Sequence, residues 1–387
     1  MSQSSEPNSL HLWFPNLFEF KGGIQVYLGD LLQALTKAFP TLNITVHDKL
    51  DRSYPTQDWQ QHPVSFVMYG NQPNRLKTLH FALGIAISAL KQRPKLVLCG
   101  HLNFAPVAYW LNRFTGIPYW ILVYGVDAWE IKNSTKKRAL QAAAKIISIS
   151  HYTRDRLIDE QHLDPNQFSL LPVTFDAHRF QPASKPDYLL RRYNLAPTQP
   201  TILTVARLSR AERYKGYDKI LEALPIIRQS IPNVHYVLVG KGDDRPRVEK
   251  LITQLGLQDC VTLTGFVSDQ ELCDHYNLCD VFAMPSKGEG FGIVYLEALA
   301  CGKPTLGGNQ DGAIDALCQG ELGALVDPDD AVQIAHTIVQ LLEQTYPNPL
   351  LYQSETLRQR VINIYGIEPF QQRLTSLIAT HIWEASR

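Results

Sequence analysis

Two carboxylates stand out by their setting. Glu289 lies in the Gly-rich run Lys287-Gly-Glu-Gly-Phe-Gly292, and Glu297 follows it on an apolar segment ending at Pro304. An apolar strand, Val281–Met284, leads into the loop, and a helix opening near Gly292 leaves it. A loop carboxylate and a carboxylate about two turns from it in sequence can converge on one ligand. Carboxylates accept paired hydrogen bonds from vicinal hydroxyls, as in ribose or a hexose. Gly290 and Gly292 bring backbone N–H groups to the same point. Upstream, Arg207 follows the run Thr201–Ala206, and Lys215-Gly216 opens the next helix. Two cations at a strand end and a helix N-terminus form an anion site, most naturally for phosphate. In the first half, Lys21-Gly22-Gly23-Ile24 lies between a strand and an amphipathic helix. Glycines there let amides approach a phosphate, although a simple turn explains them equally well. Gly240-Lys-Gly-Asp-Asp244 starts a dinucleotide glycine pattern but lacks its third glycine, and reads as a turn.

These residues need a scaffold of strand ends. In the second half, Thr201–Ala206, His235–Gly240, Cys260–Thr264, Val281–Met284, Pro304–Leu306 and Ala324–Val326 read as strands. Helical periods separate them at 217–230, 245–255, 269–277 and 292–300. The first half repeats the pattern with runs at 10–14, 44–47, 64–68, 96–99, 120–124, 146–149 and 169–171, and with helices at 24–39, 75–92 and 136–144. Strands apolar on both faces, alternating with helices, imply a parallel sheet covered on both sides. Ligands of such sheets bind at the carboxyl ends of the strands. The reading is therefore α/β with two doubly wound, Rossmann-like domains. The first is expected over 1–182 and the second over 183–364, joined in the Pro-rich stretch 180–200, with a last helix at 369–384 in the tail 365–387.

The chain has 387 residues, enough for two domains or three. Lys+Arg and Asp+Glu balance at 37 each, so no bulk charge draws it to nucleic acid. The first 182 residues hold 18 basic against 13 acidic groups, and the remainder 19 against 24. Six cysteines at 99, 260, 273, 279, 301 and 318 form no Cys-x-x-Cys pair and read as reduced thiols. The polar start has no signal-peptide pattern, and no apolar run approaches the ~20 residues that span a bilayer. The expectation is a cytoplasmic protein with at most peripheral contact at the inner face of a membrane.

Taken together, Arg207, Lys215-Gly216 and Glu289-x7-Glu297 within Glu-Gly-Phe-Gly-x-x-x-x-Glu-Ala resemble the retaining glycosyltransferases of family 4, also described as glycosyl transferases group 1. The likeness covers almost the whole chain and is strongest over 201–328. It implies the GT-B fold, two Rossmann-like domains facing each other across a cleft, with the C-terminal helix crossing back to the first. It implies that Gly22 and Gly23 lie near a diphosphate that Arg207 and Lys215 grip. It places Glu289 beside the donor sugar and Glu297 on the ribose hydroxyls, with Gly290, Phe291, Gly292, Tyr124 and Val267 completing the donor site. One departure stands out. Many relatives have His-Gly or His-Asp where this chain has Tyr124-Gly-Val-Asp127, and that histidine usually faces the sugar. Asp127, or His101 at the end of the 96–99 strand, is the candidate replacement.

The implied reaction moves a hexosyl group from a nucleotide diphosphate sugar, UDP-glucose first and GDP-mannose second. The acceptor is a hydroxyl of a glycan or lipid-linked glycan in polysaccharide biosynthesis. Two cations on the leaving group point to catalysis without a metal or other cofactor. A non-catalytic sugar-nucleotide binder would be expected to lose one of Arg207, Lys215 or Glu289, and all three are present. The Glu289-x7-Glu297 pattern disfavours a sugar-nucleotide epimerase. A NAD-dependent dehydrogenase lacks its third glycine and ribose acid. Residues 75–93 read as an apolar helix with basic ends, suited either to an anionic surface or to the core of the sheet.

Overall fold

Short β-branched and aromatic runs form the strands here; the inner strands are buried on both faces, while edge strands stay partly exposed. The computed structural model describes residues 9–20, 22–55, 59 and 62–384, so Lys21 and the first eight residues lie outside the description. The chain divides into two compact units, the first running to Val173 and resuming at Ile367, the second spanning Thr174–Gly366.

Unit 1 holds seven strands: β1 Ser9–Phe14, β2 Asn43–Asp48, β3 Val64–Met68, β4 Leu96–Cys99, β5 Tyr119–Val123, β6 Lys145–Ser148 and β7 Phe168–Leu170. All pair in parallel, in the order β3-β2-β1-β4-β5-β6-β7. Unit 2 holds β8 Thr201–Val205, β9 His235–Val239, β10 Val261–Gly265, β11 Val281–Met284, β12 Thr305–Gly308 and β13 Ala324–Val326. These are parallel too, in the order β10-β9-β8-β11-β12-β13. In each unit the order reverses beside the first strand, which opens a crevice at the carboxyl ends of β1 and β4, and of β8 and β11.

The expected strands match the observed ones to within two residues. Six α-helices among the described residues go beyond the sequence expectation: Ala105–Thr115, His151–Gln161, Asp187–Arg192, Ala313–Ala316, Ala331–Leu342 and Ser354–Tyr365. Pro106 sits in the first turn of one of them and Pro186 caps another, positions where proline starts a helix rather than breaking it. The stretch 180–200 is consequently no free linker. Its helix buries Leu189 and Leu190, and the residues before it are fixed to unit 2. Arg358 donates to the carbonyls of Ala177 and Ala300, both at 2.6 Å, and to that of Phe180. The Phe180 ring meets Tyr276 edge-on at 5.7 Å, and Asn277 accepts from the Ala183 amide at 2.9 Å. The units therefore part at Val173, ahead of the Pro-rich stretch.

The last helix, Ile367–Glu384, packs in unit 1 against the helix Gly23–Ala38. Phe370 is buried edge-on to Tyr27 at 5.8 Å, and the Tyr27 hydroxyl donates to the Leu171 carbonyl at 3.0 Å. Helix Asn74–Gln92 turns Phe81, Ile85 and Ala89 into the core and leaves Leu83, Ile87 and Leu90 outside. It thus meets only half of the core-helix expectation. Among the described residues no helix is long and apolar enough to cross a membrane.

The docking of the last helix is testable. Phe370→Ala should cost about 3–5 kcal/mol of unfolding free energy, the usual scale for a fully buried ring. Urea titration reads it, and a loss below about 1 kcal/mol would separate this helix from the core of unit 1.

Candidate active site

At the carboxyl end of β8 the chain runs through Arg207 and a short helical turn, Arg210–Lys215, into the helix Tyr217–Ser230. Gly216 makes the join with φ of +72°, and a Cβ there would stand 2.1 Å from the Pro285 carbonyl oxygen. Only glycine fits that closeness and that backbone. The turn is held from below by Asp244. This buried carboxylate accepts from Arg213 at 2.7 Å, Arg247 at 2.7 Å and the Tyr217 hydroxyl at 2.8 Å. Burial pushes its pKa up, but the two guanidiniums and the phenol outweigh that and hold it at about 2.

Beyond β11, the loop with Glu289 is fixed by a residue the sequence reading did not single out. Asp311 is fully buried, and its Oδ2 accepts from the amides of Gly288 at 2.8 Å and Glu289 at 2.7 Å. Its Oδ1 accepts from Ala313 at 2.9 Å, and the Gly312 amide donates to the Glu289 carbonyl at 2.8 Å. Burial lifts the Asp311 pKa to about 6 against those amides. The available signal was an acid enclosed by glycines just after a strand, in Gly307-Gly-Asn-Gln-Asp-Gly312.

The two loops meet through charge. Lys215 Nζ donates to Glu289 Oε1 and lies 4.0 Å from Glu212, and Glu212 pairs with Arg207 at 3.1 Å. Burial alone would lower the Lys215 pKa, but Glu289, Tyr214 and Glu212 hold it above the usual lysine range. Arg207 is the exposed member, with 56 % of its side chain open, against 16 % for Lys215 and 13 % for Glu289. Arg207, Lys215 and Glu289 are thus brought together, with Glu212 as a bridge absent from the sequence reading.

Glu297 is placed differently. It sits on the helix Ile293–Ala300 and accepts from the Tyr276 hydroxyl at 2.6 Å. Burial raises its pKa to about 7, opposed by Tyr276 and Arg179. Gly290 is buried in the loop, Gly292 caps the helix with φ of +89°, and the Phe291 ring packs in the core against Tyr365 at 5.4 Å. Phe291 therefore offers a ligand its backbone, not its ring. Val267 follows β10 and is half-buried, next to the exposed Phe266, whose ring lies 4.9 Å from Lys241 Nζ. The turn at Gly240 bonds to β10 through its amide and the Gly265 carbonyl at 2.9 Å.

In unit 1, Gly22 caps the helix that follows β1, and a Cβ on Gly23 would meet nothing within 4 Å. The loop ahead of it is held by buried Asp51, which accepts from the amides of Leu17 and Phe18 at 2.6 Å. Tyr124 is buried, and its hydroxyl donates to the Gly100 carbonyl at 3.0 Å. Asp127 Oδ1 accepts from the Tyr124 amide at 3.1 Å, while its buried Oδ2 has no partner among the described residues. Burial raises the Asp127 pKa to about 7. His101 caps the turn after β4 by accepting from the Asn103 amide on Nδ1 at 3.1 Å, which leaves its hydrogen on Nε2. Burial, then Lys136 and Lys49, push its pKa down to about 4, so the ring is neutral at pH 7. Among the described residues no group of three or more His, Cys, Asp or Glu is arranged to hold a metal ion.

Comparison with known proteins agrees with this construction. Residues 189–361 match the family described as glycosyl transferases group 1, and residues 21–179 match glycosyltransferase family 4. The chain belongs to the family 4 glycosyltransferases. A GDP-mannose-dependent alpha-(1-6)-phosphatidylinositol monomannoside mannosyltransferase of Mycobacterium tuberculosis is 34% identical over 222 residues. That match takes in 55% of this chain and 56% of the relative, about half of each. Among solved structures, sucrose-phosphate synthase from Thermosynechococcus elongatus superposes with a TM-score of 0.78 at 21% identity, covering 98% of this chain and 100% of that one. Anabaena HepE in complex with UDP-glucose gives 0.75 at 21% identity, over 96% and 99% of the two chains. At these identities the likeness to solved structures shows the shared GT-B fold.

The buried Glu297 makes a pH prediction. Folded, it keeps its proton up to about 7, whereas unfolded it releases it near 4.5. The folded state therefore binds more protons in that window, and stability falls as pH rises from 4.5 to 7. Glu297→Gln should remove this part of the slope, worth about 3 kcal/mol. Unfolding free energies of both proteins at pH 5 and pH 7.5 give the comparison, and parallel slopes would show that Glu297 is ionised throughout.

Proposed function

We propose that the chain is a metal-independent, retaining hexosyltransferase that takes a sugar from a nucleotide diphosphate. The carrying observation is the ion-paired row Arg207–Glu212–Lys215–Glu289 at the strand ends of β8 and β11. When the anomeric C–O bond to the diphosphate breaks, negative charge collects on the leaving oxygens. Arg207 and Lys215 stabilise that charge with no metal ion. Arg207 is free to swing from Glu212 to a phosphate, because most of its side chain is exposed. Glu289, held to Lys215 and fixed through Asp311, accepts hydroxyls of the donor sugar. Glu297 accepts the ribose hydroxyls once ionised. In unit 1 the Gly22 and Gly23 amides are assigned to the diphosphate, and His101 Nε2 and Asp127 Oδ2 to sugar or acceptor hydroxyls. Tyr124, committed to Gly100, orders the Asp127 turn. The acceptor oxygen forms the new bond on the face the diphosphate leaves, through an oxocarbenium-like state, and its proton passes to the departing phosphate.

UDP-glucose is the first reading for the donor, with a glycan or lipid-linked glycan as acceptor. GDP-mannose is the second, favoured by the 34% identity to a GDP-mannose-dependent relative. Six free thiols fit a reducing compartment such as the cytoplasm. Thermal shift with UDP, UDP-glucose, GDP and GDP-mannose separates the donors: the matching sugar nucleotide should raise Tm above the others, and stabilisation by none of them would remove the donor assignment.

Glu289→Gln should reduce transfer and donor hydrolysis by about 10²–10³-fold, the scale for one transition-state hydrogen-bonding group. Near-normal turnover would assign Glu289 to structure alone. Arg207→Ala and Lys215→Ala should each weaken nucleoside diphosphate binding in calorimetry, and the double variant should be non-additive because both grip one group. Unchanged affinity in both single variants would move the diphosphate elsewhere.

A further inference from the structure

Two thiols stand next to the Tyr276–Glu297 contact in unit 2. Cys273 lies on the helix Asp269–Leu278, one turn ahead of Tyr276, and Cys301 closes the helix Ile293–Ala300, one turn after Glu297. Their sulfurs are 3.9 Å apart. Those same two helices supply the Tyr276 hydroxyl and the Glu297 carboxylate that meet at 2.6 Å, and the Cys301 amide donates to the Glu297 carbonyl at 3.1 Å. The pair is asymmetric. Cys273 is half-buried, whereas Cys301 is 1 % exposed. Asn277 Nδ2 donates to the Cys273 sulfur at 3.5 Å. Asn277 is itself fixed, donating to the Gln181 carbonyl at 2.9 Å and accepting from the Ala183 amide at 2.9 Å. The neighbouring Cys301 thiol lowers the Cys273 pKa against the opposing effect of burial, while Cys273 and burial both raise that of Cys301.

The thiolate is the form of cysteine that attacks an oxidant, and thiols that sense oxidants are accessible, acidified and paired with a second cysteine. Cys273 combines these features, with Cys301 as its second cysteine. We propose that Cys273 and Cys301 form a peroxide-sensitive dithiol whose closure into a disulfide loosens the hold of Glu297 on a nucleoside diphosphate. The Cys273 thiolate attacks one oxygen of hydrogen peroxide and the O–O bond breaks. Cys273 becomes a sulfenic acid, and the second oxygen leaves as hydroxide, which takes a proton to become water. The Cys301 sulfur then attacks the Cys273 sulfur and the S–O bond breaks. The hydroxyl leaves with the Cys301 proton as a second water. Two thiols thus lose two electrons, and one peroxide is reduced to two waters. A disulfide holds its sulfurs about 2.05 Å apart, so closure from 3.9 Å draws this pair together by roughly 1.9 Å. Side-chain rotation takes up part of that movement and the helices take up the rest, one turn from a hydrogen bond that is lost beyond about 3.5 Å. The effect on nucleotide rests on the ribose reading of Glu297, whereas the disulfide does not.

Hydrogen peroxide added to the reduced full chain should give a product lighter by two hydrogens, with fragmentation mass spectrometry joining Cys273 to Cys301, and dithiothreitol should reverse it. Cys301→Ala should halt at the sulfenic acid, trapped by dimedone on Cys273. Cys273→Ser should show neither the crosslink nor the trapped acid, and should keep the wild-type Tm when reduced. In calorimetry the oxidised wild type should bind UDP or GDP about tenfold more weakly than the reduced protein, the scale of one charge-assisted hydrogen bond lost. Peroxide should leave the affinity of Cys273→Ser unchanged. Absence of the Cys273–Cys301 crosslink overturns the proposal, as does Cys301 joined to Cys279 instead. A mapped crosslink with unchanged nucleotide affinity also overturns it, and leaves the donor reading intact. A reduced wild type that binds neither nucleotide counts against the donor reading, and the control of nucleotide binding falls with it, while the mapped crosslink alone still decides the dithiol.

Discussion

A single buried carboxylate organises the unit 2 site. Asp311 takes three backbone amides, two of them from the loop that carries Glu289. A flexible Gly-rich loop has little side-chain packing to fix it, so a charge-assisted bond to its backbone does that work. With Glu289 placed, Lys215 has a partner in a site that burial would otherwise make hostile to an ammonium. With Lys215 placed, Glu212 can reach both cations and hold Arg207 at the rim. The order of dependence runs from the interior outward, and the most exposed member is the one with most freedom to change partner.

The same device recurs. Asp244 holds the Arg207–Lys215 turn through two guanidiniums and a phenol, and Asp51 holds the loop after β1 through backbone amides. All three aspartates lie just beyond strand ends, where parallel sheets leave loops without ladder partners. None contributes to the apolar core, yet each fixes a segment that apolar contacts cannot reach. The functional groups stay on loops, and the rigidity they need is supplied from beneath by acids that are themselves shielded from solvent.

The sequence made the sheets legible because both-face burial leaves a continuous apolar run, and β4 and β11 fall where those runs lie. It made Lys215 and Glu289 legible through the glycines beside them, and Arg207 through its place directly after the run Thr201–Ala206. Six helices were hidden, some by prolines that start helices instead of ending them and others by mixed surface periodicity or short length. The Pro-rich stretch looked like a linker, whereas Arg358 ties its approach to unit 2 through three carbonyls distant in sequence. Asp311, Glu212 and Asp244 were hidden for a related reason. A single acid carries no periodic signal, and its partners are known only once the chain has folded. Phe291 read as a ligand contact because of its motif, while its ring belongs to the core.

Gly216 has a consequence for how such a site can change over evolutionary time. Its Cα faces the Pro285 carbonyl so closely that no side chain fits, whatever the neighbouring lysine does. The glycine of the Lys-Gly pair is thus retained by sterics, while the lysine answers to chemistry. Exposed Phe266 at the end of β10 meets no such limit, whereas position 216 does. Loss of sugar-transfer activity would relax selection on Lys215 and leave Gly216 in place. A descendant that kept the glycine and lost the lysine would carry, in that one pair, the record of a former enzyme.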